Sequence, residues 1–199
     1  MLKPAAVFGA HALALRQYGL AVIPVAGDGS KAPLIRGFNK WRVVPSEDTV
    51  RLLADRHPDA NIAILTGLSG VVVIDVDDAG QIDEAIQRFG ATPLQVRTHR
   101  GGHLYYRFGG WTRSHNVVVG LNAQIKAGSG YVLVPPSMHR SGALYRHHNC
   151  DWSALRAIPA FDPVAIQPER PLTTARKFRD GSRGQDLNDQ LCAPRAGLR

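Results

Sequence analysis

Residues 71–74 read Val-Val-Val-Ile and run directly into Asp75-Val76-Asp77-Asp78. Four β-branched side chains in succession mark a strand that is covered on both faces, so the chain must place a sheet between two apolar layers. Side chains alternate along a strand, so Asp75 and Asp77 leave it on one side while Val76 leaves it on the other. Two carboxylates so close repel each other, and near the end of a buried strand they also lose hydration. A hard divalent cation relieves both costs, since Mg2+ is typically held by one or two carboxylates plus substrate phosphates. A purely structural role is the alternative: the acidic end of the strand caps a helix starting near Ala79, a task suited to Asp78.

The segments around this strand divide clearly. Pro4 to Tyr18 reads as an amphipathic helix with Pro4 in its first turn. It is not expected to be a signal peptide, because His11 and Arg16 interrupt its apolar run. Leu20–Pro24 reads as a strand, and a Gly/Asp/Lys-rich loop broken by Pro33 follows it through Gly37. In that loop Lys31 and Pro33 either reach a substrate or lie on the surface. Ser46 suits the N-cap of a helix over Glu47–His57, with Glu47 and Asp48 at its positive end. Asn61–Leu65 and Val71–Ile74 read as strands joined by the tight turn Thr66-Gly67-Leu68-Ser69-Gly70. Ala79–Phe89 has helical spacing, and Gly90 stops it. From Leu94 the period becomes two, giving strands over Leu94–Thr98, His103–Phe108, Ala123–Lys126 and Tyr131–Val134. Trp41, Trp111 and Trp152 are expected to pack in or beside the core. The organisation is one domain mixing helices and strands over 1–165, then a polar, Pro/Arg-rich stretch over 166–199 that reads as a linker.

Charge is unevenly spread. The net charge is +8, yet the 62 residues from Phe89 to Cys150 hold no Asp or Glu, and they hold six of the eight His. An even spread would put about five acids there for a chain of ordinary charge content. This stretch is either a solvated basic face or a surface that receives phosphates. No run of 18 or more apolar residues occurs, so no membrane span is expected. Cys150 and Cys192 stand alone, without CxxC spacing. A disulfide framework or a Cys-based zinc site is therefore not expected, and a reducing cytoplasm is.

Two further motifs fall inside the acid-free stretch. Thr98-His99-Arg100-Gly101-Gly102-His103 sets two glycines between strands, either as a plain hairpin turn or to let backbone N–H groups approach a phosphate. Arg100 suits a bidentate phosphate contact, and His103 opens the next strand beside it. The second motif runs from Lys126 through Gly128-Ser-Gly130 and Tyr131-Val-Leu-Val-Pro135-Pro136 to Ser137, His139 and Arg140. It reads as a buried strand whose Pro-Pro end, a candidate for a cis bond, presents the last three residues. The His content does not indicate zinc, because no pair has the spacing of H-E-x-x-H. His147-His148 lies in a polar run and is expected to face solvent.

Taken in order, GSKAPLIRGFNKW, NIAILTG, VVVIDVDD, RTHRGGHLYYR and IKAGSGYVLVPPSMHRSGALY resemble the bifunctional DNA primase/polymerase (prim-pol) domain of the archaeo-eukaryotic primase superfamily. The resemblance runs from the first helix to about Tyr145. It implies an α+β fold, with mixed or antiparallel sheets flanked by helices around an RRM-like catalytic core. It also implies template-dependent nucleotidyl transfer by a two-metal mechanism using Mg2+ or Mn2+. Asp75 and Asp77 fall on the family's metal-binding acidic pair, and His103 on the histidine that contacts the incoming triphosphate, which makes these three the implied catalytic residues. Arg100, Gly101, Gly102, His103, Lys126, Ser137 and His139 lie on segments that line the nucleotide site. The implied partners are nucleoside triphosphates and a single-stranded DNA template with its primer, gripped through the backbone.

One position departs from the pattern. The family places a third metal-ligand Asp two residues before the basic residue of the last motif, where this chain has Gln124. A neutral carbonyl oxygen there weakens metal binding by at least the ~10–100-fold quoted for outer-shell losses. The chain is thus either a polymerase-primase of a phage or mobile element, or a catalytically weakened module that binds nucleotide and single strands. A phosphatase of the haloacid dehalogenase type also ends a strand in Asp-x-Asp, but it wants Thr or Val where Ala79 stands. A Rossmann reading fails for lack of GxGxxG. Phe178 to Asp189 resembles the start of the helical segment that follows such domains, often ahead of a helicase, as in a fragment of a longer replication protein.

Overall fold

The computed structural model describes residues 6–110, 113–114 and 118–166. Pro4, Trp111 and the expected linker from 167 onward lie outside the described residues. The helices are α1 (Val7–Gln17), α2 (Glu47–Arg56) and α3 (Ile82–Phe89). The strands are β1 (Val22–Val25), β2 (Asn61–Leu65), β3 (Val71–Val76), β4 (Gln95–Arg97), β5 (Gly102–Arg107), β6 (Ala123–Lys126), β7 (Tyr131–Leu133) and β8 (Arg146–His147). They form two sheets, β1-β2-β7 and β6-β3-β5-β4-β8. Every strand pairing in both is antiparallel. The fold is therefore α+β.

β3 lies inside the larger sheet, between β5 and β6, and its two faces serve two cores. Val71 and Val73 join the first core, with Val96 of β4 and Tyr105 of β5. The same core takes in α1, α2 and the three-stranded sheet. Val72, Ile74 and Val76 face the second core, where Ala85 and Phe89 of α3 cover the sheet together with Phe161. This is the double burial that the β-branched run demands. Asp75 therefore issues on the face shared with the first core.

Local chemistry sets the ends of the elements. Ser46 caps α2 by accepting the Thr49 N–H at 3.2 Å. Asp78 accepts from the Gly80 N–H at 2.9 Å and caps a 3-10 turn over Ala79–Gln81, so the helix expected from Ala79 begins as an α-helix only at Ile82. The Thr66–Gly70 turn carries the chain from one sheet to the other, with no β2–β3 hairpin pairing. It is tied down where Thr66 N and Gly67 N donate to Gly130 O and Gly128 O, both at 2.9 Å. Trp41 and Trp152 pack against the first core, and Pro135-Pro136 is cis. His147, expected in solvent, is half-buried, pairs with Val96 and meets the Trp152 ring edge-on at 4.9 Å. A two-residue polar edge strand leaves no periodicity to read. No helix among the described residues is long and apolar enough to cross a membrane.

Ile74 is wholly buried, whereas Val43 is 74% exposed. Ile74→Ala is expected to lower unfolding free energy by about 2–5 kcal/mol, through lost burial and the cavity left behind. Val43→Ala should change it by less than about 0.5 kcal/mol. Urea denaturation of the two variants checks the difference.

Candidate active site

The antiparallel ladder sets Asp75 opposite His103 on β5 and opposite Gln124 on β6. Directly opposed residues share a face, so the three form one row across adjacent strands. His103 Nε2 lies 3.3 Å from Asp75 Oδ1. On its far side His103 Nδ1 is 3.5 Å from the hydroxyl of Tyr105, which is fully buried. Burial first, and then the Asp75 charge, hold that phenol well above its usual range, so it stays an uncharged hydroxyl. The ring thus bridges a carboxylate at one nitrogen and a neutral hydroxyl, able to donate or accept, at the other.

Asp75 and His103 of this row, but not Gln124, line a cleft of about 420 Å³ between the two sheets. Asp75, His103 and Lys126 come from the large sheet, Tyr131 from β7, Lys31 from the loop after β1, and Tyr145 from the segment before β8. Burial pushes the Asp75 pKa up. His103, through charge and hydrogen bond, then outweighs that with help from Lys126 and Lys31, leaving the carboxyl below its ordinary 3.8. Tyr145 is pushed up to about 12 by burial and by the Asp75 and Asp77 carboxylates. It is therefore an uncharged hydroxyl at the cleft wall. Lys126 Nζ donates to Gln124 Oε1 on the same strand.

The other sequence-predicted residues are placed differently. Asp77 follows the end of β3, half-buried, with its N–H donated to Asn122 O at 2.8 Å. It is absent from the cleft wall, although its charge reaches Tyr145. Gly101 is needed for backbone packing: an added Cβ would lie 1.9 Å from Val76 O. Its amide donates to Thr98 Oγ1 at 3.1 Å, which leaves no N–H for a phosphate. Gly102 sits in the ladder opposite Val76. Ser137 is fully buried, and its hydroxyl is spent on the backbone of Ile62, accepting from N at 2.9 Å and donating to O at 3.0 Å. Arg100 and His139 line a separate recess together with His99 and Arg140. Sequence reasoning did not single out Tyr131 or Tyr145 and left Lys31 open. Lys31 alone had a local signal, a basic residue in a Gly-rich loop.

Among the described residues no three His, Cys, Asp or Glu side chains converge as a metal cage would. The cleft's acidic oxygen donors are instead one wall carboxylate, Asp75, and a second close by, Asp77. That set suits a hard cation completed by phosphate oxygens, and does not suit a cation held by protein alone.

Gly101→Ala is expected to cost about 1–3 kcal/mol or more by overpacking against β3. Gly80→Ala, whose nearest neighbour would be 3.4 Å away, should cost less in the same denaturation assay. A depressed carboxylate pKa contributes stability above the unfolded-state value, and that contribution is lost as pH falls through the folded-state value. In metal-free buffer the stability advantage of the wild type over Asp75→Asn should therefore shrink as pH drops below about 3.8. Calorimetry of both proteins between neutral and acidic pH measures it; a constant difference would show that the carboxylate is not held below its ordinary range.

Among curated proteins none matches the chain. A family model does: bifunctional DNA primase/polymerase, N-terminal, over residues 10–169. That span holds the whole row and both flanking lysines. The chain thus belongs to the bifunctional DNA primase/polymerase (Prim-Pol) family, whose activity is DNA primase/polymerase-type nucleotidyl transfer on nucleotide and DNA substrates.

Proposed function

We propose that the chain extends a DNA primer on a single-stranded template, adding nucleotides in the cleft at Asp75. The observation that carries this reading is the Asp75–His103 pair, lining one cleft with Lys31 and Lys126. Asp75 and Asp77 would hold Mg2+ or Mn2+, completed by triphosphate oxygens. When bound, the ions of a two-metal mechanism acidify the primer 3′-hydroxyl and neutralise the leaving pyrophosphate. The remaining work falls to the chain itself. His103, held between Tyr105 and Asp75, fixes the direction of the Asp75 carboxylate and sets its imidazole in the cleft wall. Lys31 and Lys126 set positive charge against the triphosphate. Tyr145 supplies a neutral hydroxyl donor, and the apolar Val132 and Leu133 at the wall exclude water from one side.

Gln124 supports a second reading, in which the domain binds nucleotide and single strands with weakened catalysis. The residue opposite Asp75 brings no charge, and its oxygen is already held by Lys126. The setting proposed for either reading is cytoplasmic replication of a phage or mobile element, with a helicase domain further along the full-length protein. The support for that setting is the resemblance of the 178–189 segment.

Primer extension with Mg2+ and with Mn2+ separates the readings. The polymerase reading expects wild-type extension, lost by at least ~100-fold in Asp75→Ala, on the scale of a lost metal-site group. Inactive wild type with active Gln124→Asp selects the weakened module. No extension by either protein and no triphosphate binding would sink both.

A further inference from the structure

The cleft at Asp75 is not where cationic side chains are densest. Beside it lies a recess of about 470 Å³ lined by His99, Arg100, His139, Arg140 and Ser141. It shares no lining residue with the cleft. His99 and Arg100 come from the turn between β4 and β5. The others come from the hairpin of residues 137–145, closed by Tyr145 N donating to Ser137 O at 2.8 Å.

These groups are fixed against one another. The His99 and His139 rings stack with centroids 4.8 Å apart and planes 14° from parallel. Ser141 N donates to His139 Nδ1 at 3.2 Å, so neutral His139 carries its proton on Nε2. The Arg140 stem lies on Gly29, where an added Cβ would come within 2.8 Å of the Arg140 Cβ and Cδ. The loop that holds Gly29 also holds Lys31, whose charge acts on both Asp75 and His139.

Such a gathering is unfavourable without a counter-ion. Burial, and then the charges of His99, Lys31, Arg140 and Arg100, lower the His139 pKa from its ordinary 6.5. Among the described residues no carboxylate lines the recess. An anion relieves the crowding, and guanidinium forks match phosphate oxygens. A triphosphate travels with a divalent cation that needs carboxylate oxygens, and this recess offers none. A phosphodiester carries one charge and no such requirement. Arg100, Arg140 and Ser141 are exposed, so a strand can lie across them.

We propose that this recess holds a backbone phosphate of the DNA strand, while the nucleotide's phosphates stay in the Asp75 cleft. The inference rests on the proposed nucleotide role of that cleft, and it assigns Arg100 and His139 to the strand instead of to the nucleotide.

The test is the salt dependence of binding to a fluorescent single-stranded oligonucleotide, for the whole chain, Arg140→Gln and Arg140→Lys. Each phosphate contact on a single strand adds about 0.7 to the slope of log affinity against log salt. Arg140→Gln is expected to flatten the slope by about 0.7 and to weaken binding about fivefold at 0.1 M salt. Arg140→Lys should keep the slope. Affinity for a non-hydrolysable nucleoside triphosphate with Mg2+, measured on the same samples, should not change. If Arg140→Gln loses strand and triphosphate affinity together, the recess belongs to the nucleotide. If it loses neither, the recess holds no phosphate, and either result overturns the proposal. Wild type that binds triphosphate but no strand overturns it while sparing the cleft. Wild type that shows the expected strand behaviour but binds no triphosphate overturns the cleft reading alone.

Discussion

The contact between Asp75 and His103 is the interaction on which the site depends. A strand covered on both faces is a poor place for a carboxylate, because desolvation there favours the neutral acid. The imidazole across the ladder reverses that preference. It can do so because β3 and β5 are antiparallel and in a register that makes the two residues direct neighbours. Tyr105, two residues along β5, meets the other ring nitrogen at 3.5 Å. Register and burial are thus one constraint. A slip of one residue between these strands would send the acid and the imidazole to opposite faces.

Much of this was legible in the sequence. The β-branched run foretold a doubly covered strand, and alternation foretold which side Asp75 takes. Ser46 foretold the start of α2. Family resemblance supplied the α+β class and pointed to Asp75, His103 and Gln124, which the ladder then set in one row. Spacing within a strand could not reveal that row, because it runs across three strands.

What escaped the sequence has physical causes. The two glycines of the β4–β5 turn suited phosphate binding, yet Gly101 is small because Val76 passes beside it. Local sequence cannot tell a ligand's approach from that of another strand. Ser137 looked like a polar group at a strand end, but its one hydroxyl proton is given to Ile62 O, leaving none for a phosphate. Tyr131 and Tyr145 join the cleft through tertiary folding alone, arriving from a strand of the other sheet and from a return hairpin. Gln124 has the opposite character. The resemblance implies an Asp at that position, and the ladder sets the amide there directly opposite Asp75.

The brief outer strand β8 has a consequence of its own. Arg146 and His147 occupy the free hydrogen-bonding margin of β4 for just two residues, and there the sheet ends. A margin so short, carrying a charged arginine, gives a passing chain too little backbone to zip onto. Of the two margins of the larger sheet, this one is thereby a poor template for edge-to-edge joining.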